Sequence, residues 1–432
     1  MISVHARMMA RMAFLPALLL LLMMHLPVRA VEGPPAARML LDYLRIELNL
    51  QPRVGSITTA GNGDTVLHDM VFAEVRKEGR LAFRVSARQV LLHDAAQRDD
   101  LMHYRQIVVH DLLIELAAED EGKEGGSVRI PQILLAEASI LPRSKATTPQ
   151  EQLAAARLLA SVISMPEVQF RLPGLSPFDW RGLKGTWQGN RRTGEGTMKV
   201  DFGMLKLPLA ELGGQNRQRL KLLEALKLTA PTFIGSHESV SKWRADQHLV
   251  STSTWRIGVQ EGGELAISLK DLAVPLELIR QVQRISREMQ QAQTSGADGQ
   301  PQEAPGMETL NDPQVASSLR TLTLGGLDIR WQDFGLVRRY VAWEAKQRGM
   351  VEEEYIAELL QQQRRQWKSI VPEDMLQQTM REMTRFLMEP KNLRISFRGV
   401  GGRPIQLAGL TMLLFMPQMV MNSIRVEVKA NE

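Results

Sequence analysis

Three dipeptides join a histidine to an aspartate: His68-Asp69, His93-Asp94 and His110-Asp111. Imidazole nitrogens and carboxylate oxygens suit zinc or manganese, so convergence of these pairs would make a metal-dependent enzyme. Strand geometry argues against it. Adjacent residues in an extended strand point to opposite faces, which keeps the two halves of each dipeptide from sharing one ion. Two of the pairs also occupy a step that recurs without ligands. Val66-Leu67-His68-Asp69-Met70 and Val108-Val109-His110-Asp111-Leu112 match Ser268-Leu269-Lys270-Asp271-Leu272 and Thr323-Leu324-Gly325-Gly326-Leu327. A step that accepts His-Asp, Lys-Asp or Gly-Gly predicts a backbone kink on successive rungs of a sheet, and no metal ligand.

Methionine offers soft thioether chemistry at Met380-x-x-Met383 and Met416-x-x-Met419-x-Met421, a spacing that fits copper(I). Met375, Met383 and Phe386 nonetheless share a helical stripe with Leu376 and Leu387, which predicts apolar packing. Asp-Phe-Gly occurs at 201–203 and 333–335, but the glycine-rich loop, strand lysine and His-Arg-Asp that accompany it in kinases are missing. Asp333 reads instead as a helix cap. Gly-x-Ser-x-Gly, His-Glu-x-x-His, a P-loop and a dinucleotide fingerprint are all absent. The sequence thus predicts a protein that is not an enzyme, with no catalytic residue and no cofactor.

The elements around these residues read as α+β: twisted antiparallel β-meander sheets with amphipathic helices packed on one face, and a helical C-terminal region. An N-terminal helix shows apolar residues at Ala36, Met39, Leu40, Tyr43 and Leu44. Strands follow at Val66–Val75, Leu81–Leu92, Gln106–Leu116 and Val128–Ile140, after a Gly61-Asn62-Gly63-Asp64 turn. Thr148-Pro149 with Glu151 starts a helix expected to reach Ser164. Further strands are expected over Pro166–Leu209, Ser239–Trp255 and Glu264–Val274, with helices at Gln215–Leu228 and from Pro275. Beyond Asp333 come helices at Val351–Ile370 and Glu373–Met388, a strand at Leu393–Phe397, an apolar helix at Leu407–Phe415 and a strand at Ser423–Lys429. The expected divisions are 31–142, 143–289, a polar linker at 290–314, and 315–432.

Met1–Ala30 reads as a signal peptide: Arg7 and Arg11, an apolar run from Met12 to Leu26, then Pro27 and Val28-Arg29-Ala30. The run is 15 residues long, against ~20 for a bilayer span, so cleavage before Val31 is expected rather than an uncleaved anchor, and the mature chain is expected not to span the membrane. Removing Met1–Ala30 leaves 50 basic and 48 acidic side chains. Such near-balance gives no footprint for nucleic acid. With 432 residues, 44% of them hydrophobic, and no cysteine, the fold must rest on burial rather than disulfides.

The alternation of strands and helices over residues 54–285, behind a signal sequence, resembles the AsmA and TamB class of Gram-negative envelope proteins. That resemblance implies a sheet groove whose apolar floor carries lipid acyl chains. The tail, with Asp333-Phe334-Gly335-Leu336, Phe386-Leu387-Met388-Glu389-Pro390 and Val426–Asn431, resembles uncharacterised exported proteins of Gram-negative bacteria, which implies a periplasmic location. The expectation is a periplasmic protein that binds a lipid or other apolar ligand, with Val85, Val90, Leu92, Val108 and Ile114 lining the groove. The alternative is an envelope scaffold gripping a protein partner through helix faces around Tyr355–Trp367 and Met375–Met388.

Overall fold

The computed structural model describes residues 33–46, 50, 52–77, 80–118, 125–155, 157–212, 217–284, 317, 321–368, 371–407 and 423–432. Met1–Ala30, read above as a signal, the linker expected at 290–314, nearly all of the helix expected at 407–415, and Met416, Met419 and Met421 lie outside them. The chain is α+β, built of antiparallel meanders with helices. It divides into two compact units.

The first unit holds the described residues up to Pro173, Asn190–Gly194 and residues 282–284. Helix α1 (Pro35–Ile46) buries Ala37, Leu40, Leu41 and Leu44, a stripe at helical spacing. Six strands follow as a meander: β1 (Ser56–Thr59), β2 (Thr65–Lys77), β3 (Arg80–Arg98), β4 (Leu101–Leu116), β5 (Gly126–Ile140) and β6 (Leu158–Arg171). Each pairs antiparallel with the next. Helix α1 lies against β2, β3 and β5, and Tyr104 Oη donates to the Ala36 carbonyl at 2.9 Å.

The recurring step is visible in the backbone. Asp69, Asp94, Asp111 and Glu137 take φ of 50°, 44°, 52° and 48°, a left-handed region that aspartate tolerates better than branched residues. At each, one residue drops out of the ladder: pairing passes from His68↔Gln89 to Met70↔Ala87, and from His93↔Gln106 to Ala95↔Tyr104. The inward set slips by one there. Leu67 and Met70 are buried on β2, and on β3 the set changes from Val85 and Ala87 to Val90 and Leu92.

The helix expected to reach Ser164 is corrected. Helix α2 ends at Ala154 (Pro149–Ala154), closed by a capping box between Thr148 and Glu151. Residues 158–171 instead form β6, because Leu134, Leu135, Ala136 and Ala138 of β5 offer a ladder to Ser164, Ile163, Val162 and Ala160. The first compact unit runs through β6 to Pro173.

The second unit comprises Gly174–Gly189, Glu195–Gln281 and the described residues from 317 on. Its strands are β7 (Phe178–Gly189), β8 (Gly196–Lys206), β9 (Thr232–Trp243), β10 (His248–Val259), β11 (Gly263–Pro275), β12 (Thr323–Leu324), β13 (Gly326–Asp333), β14 (Asn392–Gly399), β15 (Ile405–Gln406) and β16 (Ile424–Ala430). They run antiparallel in the order β7-β8-β9-β10-β11-β13-β14-β16, with β12 bridging β11 and β15. The single strand expected over Ser239–Trp255 is a hairpin, turned at residues 244–247 with Gln247 left-handed. A short helix, α3 (Leu209–Leu212), precedes the helix expected over Gln215–Leu228, which is α4 (Arg217–Ala225). A helix, α5, covers 276–284. Helices α6 (Leu336–Arg348), α7 (Glu352–Trp367) and α8 (Glu373–Met388) pack through Val341, Ala345, Tyr355 and Ile356, with Leu387 against them. Helix α8 lies on β16 and β14.

Candidate functional site

The five residues expected to line a groove do not do so. Val85, Val90, Leu92, Val108 and Ile114 are all buried in the first unit's core, none more than 6% exposed. They belong to the side chains on which the sheet closes. The three histidine–aspartate dipeptides also stay apart. His68 Nε2 lies 3.1 Å from Thr58 Oγ1. His93 Nδ1 lies 2.6 Å from Asp64 Oδ2, and Asp111 is bracketed by Arg88 and Arg129 at 2.8 and 2.6 Å. Burial opposes ionisation of Asp64, but hydrogen bonds from the Asp94 backbone, His93 and Asn62 outweigh it and hold its carboxyl below the ordinary range. Among the described residues no three histidine, aspartate or glutamate side chains gather as a metal site.

Asp-Phe-Gly proves to be a turn device in both places. Asp201 Oδ1 accepts the Gly203 N–H at 2.8 Å, with Gly203 at φ 64°. Asp333 accepts from Gly335 and from Val337 at 2.8 and 2.9 Å, with Gly335 at φ 103°. The carboxylate fills donors that the start of α6 leaves open, although Gly335 rather than Asp333 is the boundary residue.

The helix faces expected to grip a partner are turned inward at Tyr355, Ile356, Leu376 and Phe386, which are buried. Met388 and Val351 remain exposed at helix ends.

The surface on which the second unit stands out is its sheet. Register puts Gly185, Val200, His237, Trp255, Ile267, Ile329, Ile395 and Val428 in one cross-strand row. Neighbouring rows on the same face hold Trp187, Met198, Leu269, Leu327 and Phe397, and Ile257, Leu265, Trp331 and Leu393. Cover over this apolar face is graded. Val428 and Ala430 are buried where α8 packs on β16, whereas Trp255, Ile257 and Met198 on β10 and β8 are 40%, 52% and 37% exposed.

Trp255 is held in a small aromatic stack. Its ring centroid is 6.1 Å from that of Phe202 at 14° between planes, and 3.7 Å from the His237 imidazole. Trp180 Nε1 donates to the Phe202 carbonyl at the β8 bulge. His237 is buried, its Nδ1 has no hydrogen-bond partner among the described residues, and burial lowers its pKa. The imidazole therefore forms a neutral floor beneath the indole. Sequence alternation carried the apolar identity of Trp255 and Ile257. It carried no sign that the helices stop short of them.

A family model described as "Uncharacterized protein" matches residues 256–431, a stretch that covers β11, β13, β14, β16 and α6–α8. No curated protein matches the chain. Among the described residues no helix is long and apolar enough to cross a membrane.

Proposed function

We propose that this is a periplasmic, non-enzymatic protein that takes up the acyl chain of a lipid on the apolar face of the second unit's sheet. The observation that carries the reading is the exposed Trp255, Ile257 and Met198 on a face whose far edge, at Val428 and Ala430, is buried. Large contiguous apolar exposure on a soluble surface marks a place of binding. A sixteen-carbon chain laid along it would gain on the order of 10 kcal/mol at ~0.8 kcal/mol per methylene, before the costs of binding are subtracted. The signal-like Met1–Ala30 supports the location. The reading moves the ligand surface from Val85 and its neighbours, which are core, to the strands around Trp255.

The test is lipid extraction and native mass spectrometry of the full-length protein purified from an envelope fraction, beside Trp255→Asp. Stoichiometric lipid is expected with the wild type, and at least about a tenfold loss with the variant, since an aspartate there puts a charge where methylenes would lie. Lipid-free wild-type protein, or equal lipid on both, overturns the proposal.

A further inference from the structure

The opposite face of the same sheet exposes Met204, Ile234 and Val240 on β8 and β9, but from β10 to β16 it is polar and carries a row of cations that an acyl chain does not use. Register sets Arg256, Ala266, Arg330, Arg394 and Lys429 side by side on β10, β11, β13, β14 and β16. Arg330 thus stands directly opposite Arg394, and Arg394 opposite Lys429. Like charges in directly opposed positions destabilise a sheet unless something compensates them.

Compensation in this row is uneven. Arg394 pairs with Asp328 at 3.1 Å, and Lys429 with Glu432 and Glu427 at 3.0 and 3.5 Å. Arg256 feels Glu238 at a distance. Arg330 is exposed and makes no ion pair or side-chain hydrogen bond with any described residue. Asp328 is not free to serve it. That carboxylate is already held by Lys270, Arg394, Arg398 and Ser396 at 3.2, 3.1, 2.7 and 2.6 Å, which outweigh its burial and keep its pKa well below the ordinary range.

Between Arg256 and Arg330 the row holds only the methyl group of Ala266. Two strand spacings separate the flanking arginines, roughly 9.5 Å at the backbone. Ala266 is the floor of an open cleft of about 500 Å³, walled by Thr254 and Ser268 on one side and by Glu264, Gln332 and Asn392 on the other. Four lining cations stand against three carboxylates, Glu264, Asp328 and Glu432.

We propose that this cleft binds a phosphate group over Ala266, clamped from opposite sides by the guanidinium groups of Arg256 and Arg330. A tetrahedral oxyanion offers acceptor oxygens on both sides at once, whereas a carboxylate presents one edge. Thr254 and Ser268, whose hydroxyls lie 3.0 Å apart, add donors at the rim. The group comes either as a free phosphate or as a lipid headgroup. The site is on the face away from Trp255 and does not rest on the acyl-chain reading.

The experiment uses the full chain at low ionic strength with two probes: inorganic phosphate by calorimetry, and flotation with phosphatidylcholine vesicles with and without phosphatidic acid. Each is repeated for Arg330→Gln and for Ala266→Leu, which fills the floor without changing charge. Saturable phosphate binding, weakened at least about tenfold in both variants, supports the site with a free anion. Capture by phosphatidic acid vesicles alone, lost in both variants, supports it with a headgroup. No binding of either probe, or binding that survives both substitutions, overturns it. In phosphate-free buffer Arg330→Gln should melt at or above the wild-type temperature, because it relieves repulsion. A clear fall would mean that Arg330 is already neutralised within the fold, and would sink the proposal.

Discussion

Asp94 shows how one residue type can carry a backbone requirement that looks like chemistry. Its φ of 44° lies where a branched side chain clashes with its own carbonyl and where aspartate or glycine is tolerated. Its ion pair with Arg105, at 2.9 Å, is solvent-exposed on both sides and contributes little by itself. Asp94→Val should therefore destabilise the protein by about 1–3 kcal/mol, and Asp94→Gly by much less, as read by urea denaturation. Equal losses in the two variants would mean that the carboxylate, not the backbone, is what the position needs. The same reasoning accounts for Asp271 at φ 49°. Opposite it, a Cβ on Gly325 would come within 3.0 Å of the Asp271 Cβ, so glycine fills the matching step there.

At the scale of the element, α2 is a six-residue helix that could not stand alone in water. It is fastened at its start. Glu151 Oε2 accepts from the Thr147 and Thr148 backbones at 2.7 and 3.1 Å, while Oε1 takes the Arg192 guanidinium at 2.7 Å. Arg192 first, then Thr147, pulls the Glu151 pKa from 4.5 to about 2. The folded pKa is depressed, so the stabilisation is complete above about 4.5 and is lost as pH falls from there through about 2. Glu151→Gln should lower stability near neutral pH by about 1–3 kcal/mol, leaving buried donors poorly matched. Its thermal midpoint should also fall less than the wild type's between pH 5 and pH 2. Parallel pH profiles for the two proteins would refute the assignment.

For the whole molecule, core and ligand surface are separable claims. Leu92 is fully buried in the first unit, so Leu92→Ala should cost about 2–5 kcal/mol of stability. At temperatures where the variant remains folded, its lipid content should match the wild type's. A variant that stays stable but loses lipid would return the groove to the first unit's strands. The contrast with Trp255 is one of cover. Helix α1 lies over strands of the first sheet, whereas α8 reaches β14 and β16 of the second and leaves Ile257 on β10 52% exposed.

The sequence by itself determined the class of fold, the strand-rich meander and the fact that His-Asp and Lys-Asp mark one repeated backbone step; Gly325-Gly326, expected to be the same step, has no left-handed residue. These are properties of local pattern: alternation, turn residues and helical spacing act within a few residues of each other. It placed α8 correctly and misread Leu158–Ser164 as helix, because a run of leucine and alanine suits either element until β5 supplies a ladder. Only the tertiary structure decided that Val85 and Leu92 are core while Trp255 is open. Burial depends on which distant helix lies above a strand, and alternation marks the apolar side without saying whether anything covers it. The cation row was illegible for the same reason. Arg256, Arg330 and Arg394 are scattered along the chain, and antiparallel register alone makes them neighbours.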